Sequence, residues 1–393
     1  MTPLSADLLA RQDWTFPVPI RYGPGRVHEL ADMCKSLGVS RPLVVTDRST
    51  QELPFMEAIA ASLRSQGLGV GVYAGFSPNP RDIEVRIGRE QFRSDGHDAI
   101  VAVGGGSGMD GGKALATVAN NSIDLWAFEY EQTPPTLNPS QAFPPLITVP
   151  TTAGTGAETE STAMVTETER QMKLCTWHPD LRPSFAILDP ELTLSLPTNL
   201  TAWTGCDALI HAVEAYCVPG FHPLCDGAAL EGLRLVSRWL RKAVDEPDNI
   251  EARGGMLAGS CLAGIAFLKG LGLVHAISHM VGAEYDTHHG LTNAIALPAV
   301  LRFNRPAIEP DIAPIAHAMD LAQPTFDHFY GQVCELLDAF EIPRTLAELG
   351  IPASGVASLA TKALQDSAAT TNPRLADITQ MQQLIEDARS NGR

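Results

Sequence analysis

The chain has 393 residues, 45% of them hydrophobic, and its 28 Lys and Arg against 45 Asp and Glu give a formal net charge of −17. The length favours about two or three globular domains, and the acidic balance argues against nucleic acid or an anionic membrane as a partner. The N-terminal sequence MTPLSADLLARQDW lacks the apolar run of a signal peptide, and no uncharged apolar stretch is long enough to span a bilayer, which predicts a cytoplasmic protein. Seven cysteines without a CxxC pair favour free thiols over disulfides.

The first half of the chain alternates short β-rich segments with amphipathic stretches. The predicted strands are PLVVTD at 42–47, VGVYAG at 70–75, DAIVAVGGG at 98–106, PLITVPTT at 145–152 and SFAILDP at 184–190. This alternation is typical of βαβ units and predicts a mainly parallel sheet.

Beyond Leu196 the pattern changes to long helical periods rich in Ala, Leu and Gly. The predicted helices are 205–217, 223–244, 250–268, 272–284 and 291–304. We therefore expect an α/β domain of the dinucleotide-binding kind over residues 1–193 and an all-helical domain over residues 194–393.

A glycine-rich turn, GGGS at 104–107, directly follows the apolar strand predicted at 98–103 and precedes a helical run from Met109. Glycines let the backbone approach a ligand closely, and the free amides at a helix N-terminus attract an anion such as a phosphate. A GxGxxG pattern begins at Gly106, but the acid suited to a ribose, Asp47, precedes it instead of following it by about 20 residues. The turn thus belongs to a later strand of a different arrangement, and a purely structural glycine turn is the alternative.

A second turn, PTTAGTGAE at 150–158, is rich in hydroxyl groups and also follows a predicted strand. Its hydroxyl and backbone donors are suited to lining a cofactor. The alternative is a capped helix start, because Thr155 and Glu158 have the spacing of a capping box.

Two pairs of polar side chains with a spacing of four residues indicate a metal site. Asp207 and His211 form one pair, His275 and His279 the other, and residues at this spacing project from one face of a helix. His289 follows across the YDTHHG turn and brings a further imidazole, so that Asp207 and three of these four histidines can complete the set of ligands of a divalent metal. The alternative is chance, because the chain has 11 histidines and a lone buried His is more often a hydrogen-bonded core residue.

Together these segments resemble the iron-containing, or group III, alcohol dehydrogenases over nearly the whole chain. The motifs that carry the resemblance are FPVPIRYGPG at 16–25, FSPNP at 76–80, GGGSGMD at 104–110, PTTAGTGAE at 150–158, DALIHAVEAY at 207–216, the His-rich segment at 272–290 and TNPR at 371–374. The resemblance implies an N-terminal α/β nucleotide-binding domain and a C-terminal helical metal-binding domain. It also implies a homo-oligomer, a dimer or larger.

The resemblance further implies roles for individual residues. The metal ligands would be Asp207, His211, His275 and His289, and His279 would lie beside the nicotinamide and the substrate. The cofactor contacts would come from Asp47, Asn79, Gly104, Gly105, Gly106, Ser107, Asp110, Thr151, Thr152, Thr155 and Lys173. An acid at position 47 accepts hydrogen bonds from a ribose 2′-hydroxyl and repels a 2′-phosphate, which favours NAD over NADP. The expected metal is Fe²⁺, although one Asp and three His also suit Zn²⁺.

The chain departs from the family pattern at several positions. Gly108 stands where the family often has Pro, and Ala368 where some members have a Cys near the substrate. His288 replaces a common Pro, so the choice of His289 over His288 as the ligand depends on the Gly290 that follows. The segment before His275 is also one residue shorter, which places Lys269 near the expected pocket.

These features predict an NAD(H)-linked alcohol dehydrogenase that also reduces aldehydes. A divalent metal makes the alkoxide of a bound alcohol accessible, hydride passes from it to the nicotinamide, and His279 relays the proton because an imidazole ordinarily titrates near neutral pH. A pairing of Lys269 with an anionic substrate group would instead favour short hydroxy acids or their semialdehydes, unless Lys269 is only a solvated helix-end residue. A metal-dependent lyase of the dehydroquinate synthase type and a non-catalytic NAD-binding protein are further alternatives.

Overall fold

The computed structural model describes residues 12–14 and 17–393. The N-terminal segment MTPLSADLLARQDW, which is predicted to lack a signal peptide, therefore lies largely outside the described residues, as does Phe16 of the FPVPIRYGPG motif. The chain divides into two compact units, the first formed by Met1–Thr152 and Ala157–Leu196, the second by Ala153–Gly156 and Pro197–Arg393.

The first unit is built on a seven-stranded sheet with the strand order β1-β2-β9-β6-β5-β3-β4 and a separate hairpin formed by β7 and β8. Its strands are β1 (Gln12–Trp14), β2 (Ile20–Tyr22), β3 (Pro42–Asp47), β4 (Gly71–Phe76), β5 (Ala99–Gly104), β6 (Leu146–Pro150), β7 (Thr162–Glu167), β8 (Met172–Trp177) and β9 (Phe185–Leu188). Its helices are α1 (Leu30–Ser36), α2 (Pro54–Ser65), α3 (Asp82–Ser94) and α4 (Gly106–Ala119). Every pair in the large sheet is parallel except β1 with β2. The prediction of a mainly parallel sheet is thus confirmed.

The central strands are apolar at nearly every position because both faces of the sheet are covered. In β3, Leu43 and Val45 face one apolar cluster together with Met109 and Leu115 of α4, whereas Val44 faces a second cluster. This alternation follows from the period of two in a strand, and burial on both faces requires a continuous apolar run instead of an alternating one. These continuous apolar runs also allowed the strands to be predicted from the sequence.

Parallel strands bring their carboxyl ends to one edge of the sheet. The strands β3, β5 and β6 are neighbours, and they end at Asp47, Gly104 and Pro150. Gly104 is directly paired with Pro150 in the register of β5 and β6. The segments that follow these strands therefore start beside one another.

The second unit is helical, as predicted. Its helices are α5 (Thr198–Cys217), α6 (Pro223–Asp245), α7 (Ile250–Ala266), α8 (Leu273–Tyr285), α9 (His289–Ile308), α10 (Ile312–Ala318), α11 (Phe326–Ala339), α12 (Val356–Ala363), α13 (Ser367–Thr371) and α14 (Ile378–Ser390). Residues 197–393 are all described, and no strand is found among them. Helix α5 begins seven residues before the predicted start at 205. The prediction missed its first turns because they contain Thr and Trp, which have a modest helix propensity.

The hairpin of β7 and β8 was not predicted. Its strands pair in antiparallel register from Thr162 with Trp177 to Glu167 with Met172. The connection contains Gln171 at φ 51, a left-handed conformation that Gly or Asn usually supplies in a hairpin turn. The sequence therefore lacks the usual hairpin signal.

The short segment Ala153–Gly156 is grouped with the helical unit although it follows β6 in the chain. Gly156 has φ +62, and a Cβ added to it would lie 2.5 Å from the Gly264 Cα of α7. The two backbones thus touch without side chains between them, which only glycine permits.

Among the described residues, no single helix is long and apolar enough to cross a membrane. The stretches Ile250–Lys269 and Leu273–Tyr285 meet the length and composition criteria only as a pair, which is bent by 102°.

Candidate metal centre and cofactor-binding residues

Four side chains of the helical unit converge on one point. Asp207 and His211 lie one turn apart on α5, His275 lies on α8, and His289 is the first residue of α9. Each offers one ligand atom, and these atoms lie within 4.8 Å of one another. Asp207 Oδ1 is 3.6 Å from the Nε2 atoms of both His275 and His289, and 3.8 Å from His211 Nε2. The first helical pair, His275 of the second pair and His289 of the YDTHHG turn therefore supply a compact donor set.

The outer nitrogen of each imidazole is held by a polar group on the far side of the ring. His275 Nδ1 lies 2.6 Å from Glu214 Oε2, His289 Nδ1 lies 3.2 Å from Ser278 Oγ, and His211 Nδ1 lies 3.3 Å from the Gly154 carbonyl oxygen. With Nδ1 directed outwards, each Nε2 is the nitrogen that faces Asp207, and once this nitrogen is deprotonated its lone pair can ligate a cation. Metal-binding histidines are typically oriented in this way.

Burial and the neighbouring carboxylates determine the charges at this point. Burial lowers the pKa of His211 to about 4, so its imidazole is neutral. Burial alone would raise the pKa of Asp207, but the adjacent His211 and His289 hold it well below its usual value. Burial would also lower the pKa of His275, yet its hydrogen bonds with Asp207 and Glu214 outweigh this and raise the pKa to about 9. The two carboxylates thus favour positive charge here, of the kind that a divalent cation carries.

The donor set fits a divalent transition metal. One carboxylate and three imidazoles are the ligand types that Fe²⁺ and Zn²⁺ accept, and none of the donors is a thiolate. His288 has a different place, because its Nδ1 accepts a hydrogen bond from the Leu291 amide and caps α9. The structure therefore groups His289, and not His288, with the other three donors.

Glu214 also caps the N-terminus of α8, the helix that carries His275. Its Oε1 accepts a hydrogen bond from Val274 N at 2.8 Å and its Oε2 one from Gly272 N at 3.0 Å. The amide between them, Leu273 N, donates to Asn372 Oδ1 of the TNPR segment at 3.1 Å. A Cβ on Gly272 would lie 2.6 Å from Glu214 Oε1, so only glycine lets the carboxylate approach this closely. One carboxylate thus fixes both the helix start and the orientation of a metal donor.

His279 lies one turn after His275 on α8 but outside the group of four donors. Its Nδ1 is 2.8 Å from Asp366 Oδ2, and its ring stacks on that of His289 with the centroids 5.3 Å apart. Burial alone would raise the pKa of Asp366, but His279 lowers it, and the carboxylate also accepts the Ala368 amide. His279 therefore has its own buried carboxylate partner beside the donor set.

In the first unit, several of the expected cofactor contacts lie together at the carboxyl ends of the strands. A Cβ on Gly104 would lie 3.2 Å from Asp47 Oδ2, and one on Gly105 would lie 3.1 Å from the Thr152 side chain. Thr151 N donates to the Gly104 carbonyl oxygen at 2.9 Å. Helix α4 begins at Gly106 without a side-chain cap, so its first amides remain available for an anion.

The remaining expected contacts of this unit lie close to these residues. Ser107 Oγ donates to the Pro78 carbonyl oxygen at 2.6 Å, and Lys173 Nζ of β8 lies 3.4 Å from Asn79 Oδ1. The pKa of Asp110, one turn into α4, is raised, because the effect of burial outweighs that of the nearby lysines. Thr155 is the exception, because it belongs to the segment that is grouped with the helical unit.

Lys269 is already part of an ion pair. Its Nζ lies 2.6 Å from Asp226 Oδ1 and 3.4 Å from the Tyr216 carbonyl oxygen, and 7% of the side chain is exposed. The ammonium charge is thus neutralised by a neighbouring carboxylate at the start of α6.

The outer partners of the donors were missed by the sequence analysis. Glu214 was recognisable, because it follows Asp207 by seven residues and so shares its helical face. Ser278 lies three residues after His275, and this spacing also places the two side chains on one face of a helix. Gly154 and Asp366 lie 57 and 87 residues from the imidazoles they contact, and no local pattern indicates them.

Comparison with known proteins identifies relatives over nearly the whole chain. Residues 17–190 match a family described as iron-containing alcohol dehydrogenase, and residues 201–389 match the C-terminal part of the Fe-containing alcohol dehydrogenase family. The NAD-dependent methanol dehydrogenase of Bacillus methanolicus is 35% identical over 373 residues, which cover 93% of this chain and 97% of that protein. The 1,3-propanediol dehydrogenase of Citrobacter freundii is 36% identical over 391 residues, covering 96% and 98%. A crystal structure of a 1,3-propanediol oxidoreductase has a TM-score of 0.88 at 36% identity and covers 94% of this chain and 97% of that one.

Replacing Glu214 with Gln is expected to weaken metal binding about 10- to 100-fold, as is usual for groups that orient metal-binding imidazoles. The Gln amide keeps the size of the side chain, but its NH₂ group must face either Val274 N–H or the N–H groups of Gly272 and His275. Competition with a chelator of known affinity measures the change. Glu231→Gln, at an exposed position on α6, is the control. Equal metal affinity in Glu214→Gln and the parent chain would contradict the assignment.

Proposed function

The chain belongs to the iron-containing alcohol dehydrogenase family, and on that premise we propose that it oxidises primary alcohols with NAD and reduces the corresponding aldehydes with NADH. The observation that carries this proposal is the buried set of Asp207, His211, His275 and His289, whose ligand atoms lie within 4.8 Å of one another. These four residues would hold the divalent metal that the family requires.

The donor residues have a single task, which is to hold a cation at a fixed point. When bound, a divalent cation stabilises the negative charge that develops on the alcohol oxygen as the hydroxyl proton leaves. Asp207 supplies one negative charge and the three imidazoles are neutral ligands, so the site retains net positive charge for this purpose. The buried position of the donors strengthens the electrostatic interaction, because the local dielectric constant is low.

We assign the transfer of the hydroxyl proton to His279. Its Nδ1 is hydrogen-bonded to Asp366, which favours the tautomer with a proton on Nδ1 and a basic Nε2. Nε2 is therefore the atom that accepts the proton during alcohol oxidation and returns it during aldehyde reduction. Asp366 stabilises the imidazolium that forms, since it remains a carboxylate.

The cofactor assignment rests on the residues at the carboxyl ends of β3, β5 and β6. The free amides at the start of α4 suit the pyrophosphate of NAD, and the hydroxyl groups of Thr151 and Thr152 lie beside the same turn. Asp47 accepts hydrogen bonds from both the amide and the hydroxyl group of Ser49 and of Thr50, so its carboxylate is held in place. A fixed carboxylate at this position selects against the 2′-phosphate of NADP.

Metal removal tests the proposed function. Anaerobically purified protein is expected to contain about one iron per chain, and to form NADH with short primary alcohols and consume it with aldehydes. Turnover should fall to the background rate after chelation and return when Fe²⁺ is added. Bound zinc with the same chelator sensitivity would keep the site and change the ion. Undiminished turnover without metal would refute the proposal.

The same assay separates the proposal from its rivals. A lyase of the dehydroquinate synthase type returns its NADH to the substrate, whereas a dehydrogenase accumulates free NADH. A non-catalytic NAD-binding protein would show no turnover with any alcohol or aldehyde when fully loaded with metal. Steady NADH accumulation therefore excludes both alternatives.

Replacing Asp47 with Asn is expected to shift the ratio of kcat/KM values for NADP and NAD by at least about tenfold in favour of NADP. The change removes one negative charge that repels the 2′-phosphate of NADP. A repulsion of at least about 1.4 kcal/mol corresponds to this tenfold shift. The Asn carbonyl oxygen still accepts hydrogen bonds from the Ser49 and Thr50 segment, which limits structural damage. Asp95→Asn, at the exposed end of α3, should leave the ratio unchanged. An unaltered ratio in Asp47→Asn would count against the assigned ribose contact.

The alternative of short hydroxy acids or semialdehydes as substrates depends on Lys269. Because its ammonium is paired with Asp226, we expect Lys269→Ala to change the rates with propanol and with 4-hydroxybutyrate by the same factor. Steady-state kinetics on both substrates measures this. A loss confined to 4-hydroxybutyrate would favour the hydroxy-acid alternative.

The other expectations from the sequence stay predictions. They are a cytoplasmic location, a homo-oligomeric state, and the absence of nucleic acid or a membrane as a partner. The net charge of −17 supports the expectation on anionic partners.

A further inference from the structure

A buried asparagine lies against the proposed metal donors. Asn293 is on α9, one turn after His289, and its side chain is fully buried. Its amide nitrogen Nδ2 is 2.7 Å from Asp207 Oδ1, 3.1 Å from His289 Nε2 and 3.2 Å from His275 Nε2. Three of the four donor atoms are thus within hydrogen-bonding distance of one amide group.

Chemistry fixes which way this amide is turned. If the side chain were rotated by 180° about its last bond, the carbonyl oxygen Oδ1 would face the carboxylate of Asp207, and two acceptors would repel each other. With Nδ2 towards Asp207, one N–H donates to the carboxylate oxygen that also faces the three imidazoles. A carboxylate oxygen has two lone pairs, so it can accept this hydrogen bond and still ligate a cation.

The amide oxygen of the same residue has no such role. Among the residues that the structure describes, none donates a hydrogen bond to Asn293 Oδ1, although the atom is buried. A buried acceptor without a partner is costly, and groups of this kind are usually retained for a function. The cost indicates that Asn293 is kept for its N–H donor.

The position of Nδ2 also bears on the access of water. Asp207 Oδ1, His275 Nε2 and His289 Nε2 form a triangle, and Nδ2 is 3.2 Å or less from each corner. An amide NH₂ group does not bind cations, but it occupies the space beside these three atoms. A water molecule therefore cannot occupy the same place.

We propose that Asn293 is a positioning residue of the metal centre, a role that rests on the proposed function. It holds Asp207 Oδ1 at the meeting point of the imidazoles and keeps water from the side formed by Asp207, His275 and His289. It thereby increases the affinity for the metal and limits the number of water ligands.

Two substitutions separate these effects. Asn293→Leu removes the donor and keeps the branched shape and the number of side-chain heavy atoms, whereas Asn293→Ala removes the donor and opens space for water. The full-length chain is stripped of metal and titrated with Co²⁺, whose visible absorption reports on the coordination number. We expect both variants to bind Co²⁺ about 10- to 100-fold more weakly than the parent chain. Only Asn293→Ala should show the spectral change that indicates an added water ligand.

Asn304→Ala is the matched control, since Asn304 is also a buried asparagine of α9 and forms a reciprocal amide pair with Asn372. It is expected to lower Tm while Co²⁺ affinity and spectrum stay those of the parent. Unchanged Co²⁺ affinity in both Asn293 variants would overturn the proposal. So would an equal loss of affinity in Asn304→Ala, because the effect would then be a general one.

The failure of this proposal is distinguishable from a failure of the proposed function. A parent chain that binds Co²⁺ and turns over alcohols, beside Asn293 variants of unchanged affinity, would overturn only the role of Asn293. A parent chain that binds no Co²⁺ would overturn both.

Discussion

The helical unit depends on one buried carboxylate, that of Glu214. It lies on α5 together with Asp207 and His211, and it reaches the first amides of α8 and the Nδ1 atom of His275. The start of α8 has no side-chain cap of its own. Without Glu214, buried N–H groups would lose their acceptor and His275 would lose the group that orients it, at a cost of about 1–3 kcal/mol for each unsatisfied group. The positions of the donors on different helices are therefore coupled through this residue.

The same carboxylate also determines the charge balance of the site. Asp207 and Glu214 lie on opposite sides of the His275 ring, and both are nearly fully buried. Two buried negative charges are unfavourable unless positive charge lies close by. A divalent cation at the donor set would lie beside Asp207 and across the His275 ring from Glu214, and the remaining contacts come from neutral groups such as the Asn293 amide and the Gly154 carbonyl. Positive charge at the donor set would thus explain why acidic residues occur at such depth in an apolar helical core.

The sequence predicted most of the fold and the four side chains that converge on one point, but not the groups that orient them. The strand at 42–47 and the helices from 223 and 250 were readable because burial imposes a continuous apolar run or a helical period. Asp207 and His211 could be paired because a spacing of four residues places side chains on one face of a helix, but the same spacing also paired His275 with His279, which lies outside the group of four. The hairpin of β7 and β8 has no Gly or Asn signal in its turn, and Asp366 meets His279 only through the tertiary fold. Spacing alone left open which histidines belong to the group of four. The tertiary fold places Asp366 beside His279, which lies outside that group.

The way the donors are held also separates metal binding from substrate choice. Each donor imidazole is held at Nδ1 by an outer acceptor, and its Nε2 faces the other ligand atoms. Asp207 is fixed by the Asn293 amide. A set of donors fixed in this manner would hold a cation, and that cation would attract only the oxygen atom that all alcohols share. Discrimination between alcohols must therefore come from side chains that contact the carbon chain of the substrate. Such contacts distinguish one methylene group by only about 1–3 kcal/mol, so a change in them can alter the preferred alcohol without any change in the donor set.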